Sequence, residues 1–157
     1  MCQLYKLISN NKTYMEMVEP IINHPEIQSM SAYIHHGKTN CLTHSIHVSY
    51  KSYTLALKLG LDEKAMARAG LFHDFYLYDW HHKDNRKGLH GFSHARASLA
   101  NAEKYFDVNE MEKDIIKKHM WPLNPKLPKF KESVLFMLVD RYCSILETFH
   151  LPVIKGE

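Results

Sequence analysis

Ala69-Gly70-Leu71-Phe72-His73-Asp74 ends an apolar helical run with an imidazole and a carboxylate side by side, where a core helix would carry Leu or Val. Burying such groups unsatisfied costs several kcal/mol, so they must be paired, exposed in a cleft or bound to something. Metal is the expected partner. Upstream, Asp62 is a good N-cap for a helix over 63–75, on which Ala65, Met66, Ala69, Phe72 and His73 share the inward side. Ala65, Ala67, Ala69 and Gly70 are small enough to let a neighbouring helix come close.

Reading outward, apolar residues recur at helical spacing over 13–22, 42–59, 94–106 and 132–149, with further helices predicted over 25–35 and 109–118. Residues 1–12 are weakly patterned and read as a short extension or a frayed helix. Pro25 suits a first helical turn and Gly37 a stop, and 38–40 reads as a loop. His24, His35 and His36 fall at helix ends, where solvation or C-capping accounts for each. No segment alternates convincingly as a strand. The expected fold is all-α, a single-domain bundle of six or seven helices.

Several polar residues interrupt this apolar pattern. His44 lies in the first turn of the 42–59 helix and needs a partner elsewhere to be more than structural. Ser93 caps the helix that carries His94; His90 is four residues earlier, but Gly91 sets it ahead of the helix. Asn109 and Glu112 form a capping-box pattern, and His119 ends the helix they start. Asp140 follows Val134-Leu135-Phe136-Met137-Leu138-Val139, where an ionised carboxylate requires a cation. Arg96, Arg141 or a metal would serve. The long loop over 76–92 carries Asp79, Lys83, Arg86 and Lys87, read either as a solvated surface or as a cationic rim for an anionic substrate.

Composition narrows the classes. At 157 residues the chain suits one well-cored domain. No apolar run approaches the roughly 20 residues that span a bilayer, and no secretory leader pattern opens the chain, so the cytoplasm is the expected compartment. Cys2, Cys41 and Cys143 are odd in number, widely spaced and without C-x-x-C, which disfavours a disulfide framework or a thiolate zinc site. A net charge of +3, with no basic stripe interleaved with aromatics, disfavours nucleic acid as a partner. Twelve histidines are the outlier, and position must decide which matter.

Thr43-His44-Ser45-Ile46-His47-Val48, then Ala69-Gly70-Leu71-Phe72-His73-Asp74, then Leu138-Val139-Asp140-Arg141-Tyr142 resemble, in order and spacing, the HD-domain superfamily of metal-dependent phosphohydrolases. The resemblance spans roughly 40–145. Its two-metal branch adds two histidines between the His-Asp pair and the final Asp, matched here by His94 and His119. The chain is also similar to a group of small bacterial HD proteins with a comparable Asp-Trp in the loop and His-Met-Trp-Pro after the later helix; Ala95 stands where those often have Pro. No Gly-Tyr-Pro signature of cyclic-dinucleotide phosphodiesterases is present.

The resemblance implies a divalent metal centre on His44, His73, Asp74, His94, His119 and Asp140. Asp74 would bridge two ions, one held by His44, His73 and Asp140 and the other by His94 and His119. Alternatively, a single ion would leave those last two histidines to contact substrate phosphate. Imidazole and carboxylate without thiolate suit Mn, Fe, Co, Ni, Zn or Mg. The implied reaction is hydrolysis of a small phosphorylated substrate, a nucleotide or other phosphate ester, by metal-activated water. Asp74 would act at the reacting centre, Asp79 in proton transfer or orientation, and Lys83, Arg86 and Lys87 in holding phosphate. A di-iron oxygenase on the same ligand set and a non-catalytic ligand-binding module are the alternatives.

Overall fold

Side-chain caps divide the chain into helices. The computed structural model describes residues 2–78 and 90–154. Among them run α1 (Cys2–Ser9), α2 (Lys12–Ile22), α3 (Pro25–Ser29), a 3-10 turn (Met30–Ala32), β1 (Ile34–His36), β2 (Thr39–Asn40), α4 (Cys41–Leu59), α5 (Glu63–Phe72), α6 (His90–Tyr105), α7 (Glu110–Lys118) and α8 (Lys131–Thr148). Asn11, Asn40 and Asp62 each accept a backbone N–H from three residues on, at the starts of α2, α4 and α5. Asn109 and Glu112 close the reciprocal box at the start of α7, at 2.8 and 2.9 Å. Gly60, at φ +64°, ends α4 in the left-handed conformation that glycine adopts without strain.

The fold is all-α as expected, with four local differences. Residues 2–9 form a true helix, because Leu4 and Ile8 bury against the core. The helix predicted over 25–35 stops at Ser29; after one 3-10 turn the chain folds back as a two-stranded antiparallel ribbon, which takes in Thr39 and Asn40 of the predicted loop. Strands of three and two residues are too short to display alternation, so the ribbon left no periodic trace. Third, α5 ends at Phe72, with His73 as its C-cap and not an interior residue; Phe75 and Tyr76 are nevertheless fully buried. Finally, α6 starts at His90, so Ser93 lies inside it and does not cap it.

α4 and α5 make the most extensive helix pair, and α4 also packs on α8. The small-residue stripe makes this possible: a Cβ on Gly70 would fall 2.3 Å from the Cα of Ser49. Ser49 Oγ donates to the Ala67 carbonyl at 2.6 Å and accepts from the buried Tyr14 hydroxyl at 2.8 Å, which ties α2, α4 and α5 together. Phe72, Met66, Ile46, Ile115, Ile116 and Phe136 fill the space between α4, α5, α7 and α8. α7 packs on α5, α6 and α8, so the ends of α5 and α7 are brought beside the middle of α8.

Candidate metal centre

His44 sits on α4, His73 and Asp74 follow α5, His94 is on α6, His119 follows α7 and Asp140 is on α8; all six are at most 7% exposed. Their metal-type donor atoms fall into close groups, two of which are His44, His73 and Asp140, and Asp74, His94 and His119, each within 4.8 Å. The two oxygens of Asp74 face different ways. Oδ2 lies 3.3 Å from His73 Nε2 and 3.7 Å from His44 Nε2, whereas Oδ1 lies 3.4 Å from His94 Nε2 and 3.8 Å from His119 Nε2. Asp140 Oδ1 closes the first group at 3.2 Å from His44 and 3.6 Å from His73.

Three imidazoles have their tautomer set by an acceptor that cannot donate. His73 Nδ1–H donates to the Gly70 carbonyl and His119 Nδ1–H to the Ile116 carbonyl, both at 2.8 Å. His44 Nδ1–H donates to Glu147 Oε2 at 2.8 Å. Each ring therefore turns Nε2 into the site. His44 and His73 Nε2 come within 3.3 Å of each other, and His94 and His119 Nε2 within 2.8 Å. Converging lone pairs, two carboxylates and a buried Asp74 Oδ1 with no hydrogen-bond partner demand positive charge between them. A divalent ion meets that demand, and the nitrogen and oxygen donors suit a first-row transition metal.

The electrostatics agree. Burial would raise the Asp74 carboxyl, yet His73, His35 and His94 hold it well below the usual carboxylate range. Asp140 is likewise held down, against burial, by His44 and His73. Burial pushes His44 down, but Glu147 and Asp140 outweigh it and lift the group to about 10. His119, buried beside His94 and His73, falls to about 3 and stays neutral. Without metal, a proton on His44 supplies part of the missing charge.

Neither arginine considered as a partner for Asp140 fills that role. Arg141 donates to the Trp121 carbonyl, Arg96 is exposed, and Asp140 faces His44 and His73 instead. Asp79, Lys83, Arg86 and Lys87 lie outside the described residues.

Three residues at the site escaped the sequence reading. Glu147 accepts from His44 through one oxygen and from His47 Nδ1–H through the other, at 2.8 and 2.7 Å. Burial opposes its ionisation, but His44 and His47 bring it down to about 2. Its signal was available: Glu147 repeats Asp140 two turns on, along the buried line Phe136, Asp140, Cys143. His47, one turn beyond His44, carries the same helical signal. His35, read as a helix-end residue, sits on β1 with Nε2 2.9 Å from Asp74 Oδ2. Nothing in its neighbours' periodicity announces that.

An all-α bundle whose helix ends converge on a buried cluster of imidazoles and carboxylates defines a class of protein that could hold divalent metal. The HD domain family matches residues 41–145, well over half of the chain, and the chain belongs to that family. Neither a curated protein nor a solved structure shows significant similarity to it. The family consists mostly of metal-dependent hydrolases.

Proposed function

We propose that this HD-domain protein is a phosphohydrolase that cleaves a nucleotide or other small phosphate ester with metal-activated water. The observation that carries the reading is Asp74, whose two oxygens face two separate sets of imidazole nitrogens. That arrangement favours two ions over one. His44, His73, Asp140 and Asp74 Oδ2 would hold the first, and His94, His119 and Asp74 Oδ1 the second. When bound, divalent ions lower the pKa of water toward neutrality and stabilise the charge on phosphoryl oxygens.

The protein residues contribute position and charge. Two dications against two carboxylates leave a net positive centre, matched to an anionic phosphate ester. Glu147, Gly70 and Ile116 fix the rings of His44, His73 and His119, so the nitrogens need little rearrangement on binding. Lys83, Arg86 and Lys87 are proposed to meet the substrate's phosphate, and Asp79 to orient or relay a proton; all four belong to the 76–92 segment. No helix among the described residues is long and apolar enough to cross a membrane.

The test is restoration. Protein stripped of metal should regain hydrolysis of a phosphomonoester or diester on addition of Mn or Co, and Asp74→Asn should not. No hydrolysis across a broad panel of phosphate esters, with metal verified in the site, would refute the proposal. Substrate-dependent uptake of oxygen by iron-loaded protein would replace it with an oxygenase.

A further inference from the structure

His35 lies outside the span matched by the family, on the short ribbon that precedes α4. Its placement is fixed on two sides. Cys41 N–H donates to the Tyr33 carbonyl at 2.8 Å, which joins the base of the ribbon to the start of α4. At the other end, Gly37 turns the ribbon at φ +57°, and a Cβ there would come within 3.1 Å of the Glu147 carbonyl and of the His150 ring. The ribbon is thus wedged against the last turn of α8, and the His35 ring lies 4.4 Å from that of His44.

Among the described residues, His35 Nε2 makes the shortest contact to the Asp74 carboxylate, 2.9 Å against 3.3 Å or more for His44, His73, His94 and His119. A carboxylate oxygen only accepts, so Nε2 carries the hydrogen. Nδ1 then accepts from the Tyr76 hydroxyl, 2.8 Å away. Tyr76 is fully buried and follows the His-Asp pair by two residues, so the chain Tyr76 to His35 to Asp74 closes a loop around the start of the site. Asp74 Oδ1 has no hydrogen bond to hold it. Rotation of the carboxylate would scramble which oxygen faces which imidazoles, and the bond to Oδ2 prevents it.

We infer that His35 is a positioning residue of the metal centre: with Tyr76 behind it, it pins Oδ2 of Asp74 and thereby presents Oδ1 to His94 and His119. The assignment rests on the reading of these residues as a metal centre. It gives the ribbon a function and separates His35, which would hold Asp74 through an N–H, from the histidines that would hold metal through Nε2.

The experiment titrates Mn or Co into stripped protein and counts ions by elemental analysis, for the parent, His35→Ala, His35→Gln and Tyr76→Phe. Thermal unfolding confirms that each variant is folded. The parent should take up two ions. His35→Ala should weaken the one facing His94 and His119 by about 10- to 100-fold, the usual consequence of losing a residue that orients a ligand. His35→Gln, whose side-chain amide N–H can replace Nε2–H, should restore most of that affinity, and Tyr76→Phe should fall between. Independently of metal, nitrogen NMR of the stripped parent should show His35 as the Nε2–H tautomer. Unchanged ion count and affinity in His35→Ala would overturn the assignment, as would an Nδ1–H tautomer, which would make His35 a ligand. Failure of the parent to take up any ion would overturn the metal-centre reading itself.

Discussion

Replacing Gly70 with alanine tests the packing that delivers the His-Asp pair. The added methyl would lie 2.3 Å from Ser49 Cα, 2.7 Å from its nitrogen and 2.8 Å from its Cβ. Carbon atoms make comfortable contact at about 3.5–4.0 Å, so α4 and α5 must move apart by about 1 Å. The two closest atoms are backbone, and no rotamer change relieves them. Overpacking of this kind costs about 1–3 kcal/mol, occasionally more, whereas alanine's helix propensity returns about 1 kcal/mol. With backbone against backbone, the upper end applies, and a net loss of about 2 kcal/mol corresponds to roughly 4–8 °C in Tm for a chain of this size. His73 is anchored on the Gly70 carbonyl, so metal affinity should fall with stability. Thermal unfolding of stripped protein, with Mn titration alongside, reads both effects. Adding Ser49→Gly should recover little, because it removes only the farthest of the three atoms. Gly70→Ala protein that melts at or above the parent, or full rescue by Ser49→Gly, would refute the close approach.

Glu147→Gln should weaken metal binding by about 10- to 100-fold, because His44 and His47 donate to different oxygens of Glu147 and the amide would set its NH2, itself a donor, against one of those ring N–H groups; unchanged Co affinity would contradict this. With His44 lifted to about 10, metal uptake at neutral pH must displace a proton, so affinity should rise with pH up to that value. Calorimetry in two buffers of different ionisation heat should detect the released proton, and its absence would count against the assignment. Asp114, pushed up by burial, is brought below the usual carboxylate range by Lys118, the Lys129 N–H and the Ser133 hydroxyl. A depressed folded value means stability present above about pH 4 and lost as pH falls through that folded value. Asp114→Asn should therefore unfold at lower denaturant than the parent near neutrality, with the gap closing in acid; a gap independent of pH would be the contrary result.

The helices that carry the candidate ligands were legible because each has either a side-chain cap or a clear apolar stripe. Asp62, Asn109 and Glu112 are local signals, complete within four residues, and the structure uses all three as caps. The ribbon was not legible, since its stability comes from α4 and α8 and not from its own few residues. For the same reason His35 read as an ordinary helix-end histidine. Its partners, Asp74 and Tyr76, are about forty residues away, and only the closed fold brings them to it. Glu147 lies between these cases. Its place on the buried face of α8 is periodic and visible, but its purpose depends on two histidines a hundred residues earlier.

His73 and His119 show why a polar residue can end an apolar helix without penalty. Both are C-caps in the right-handed helical conformation, at φ −60°, ψ −32° and φ −57°, ψ −26°. Each donates Nδ1–H to the carbonyl three residues back, Gly70 or Ile116, at a position where helix carbonyls begin to lack backbone donors. One nitrogen thus completes the helix while the other enters the site. The capping and ligating readings of a helix-end histidine exclude each other only if the ring is treated as a single group. At these two positions the cap sets the tautomer, the tautomer bares Nε2, and the helix packing aims it at Asp74. The same local device, used at the ends of α5 and α7, brings one imidazole to each side of the carboxylate. Asp74 can serve both sides because it lies two residues beyond the end of α5, just past the His73 cap, where its carboxylate reaches between the two helix ends.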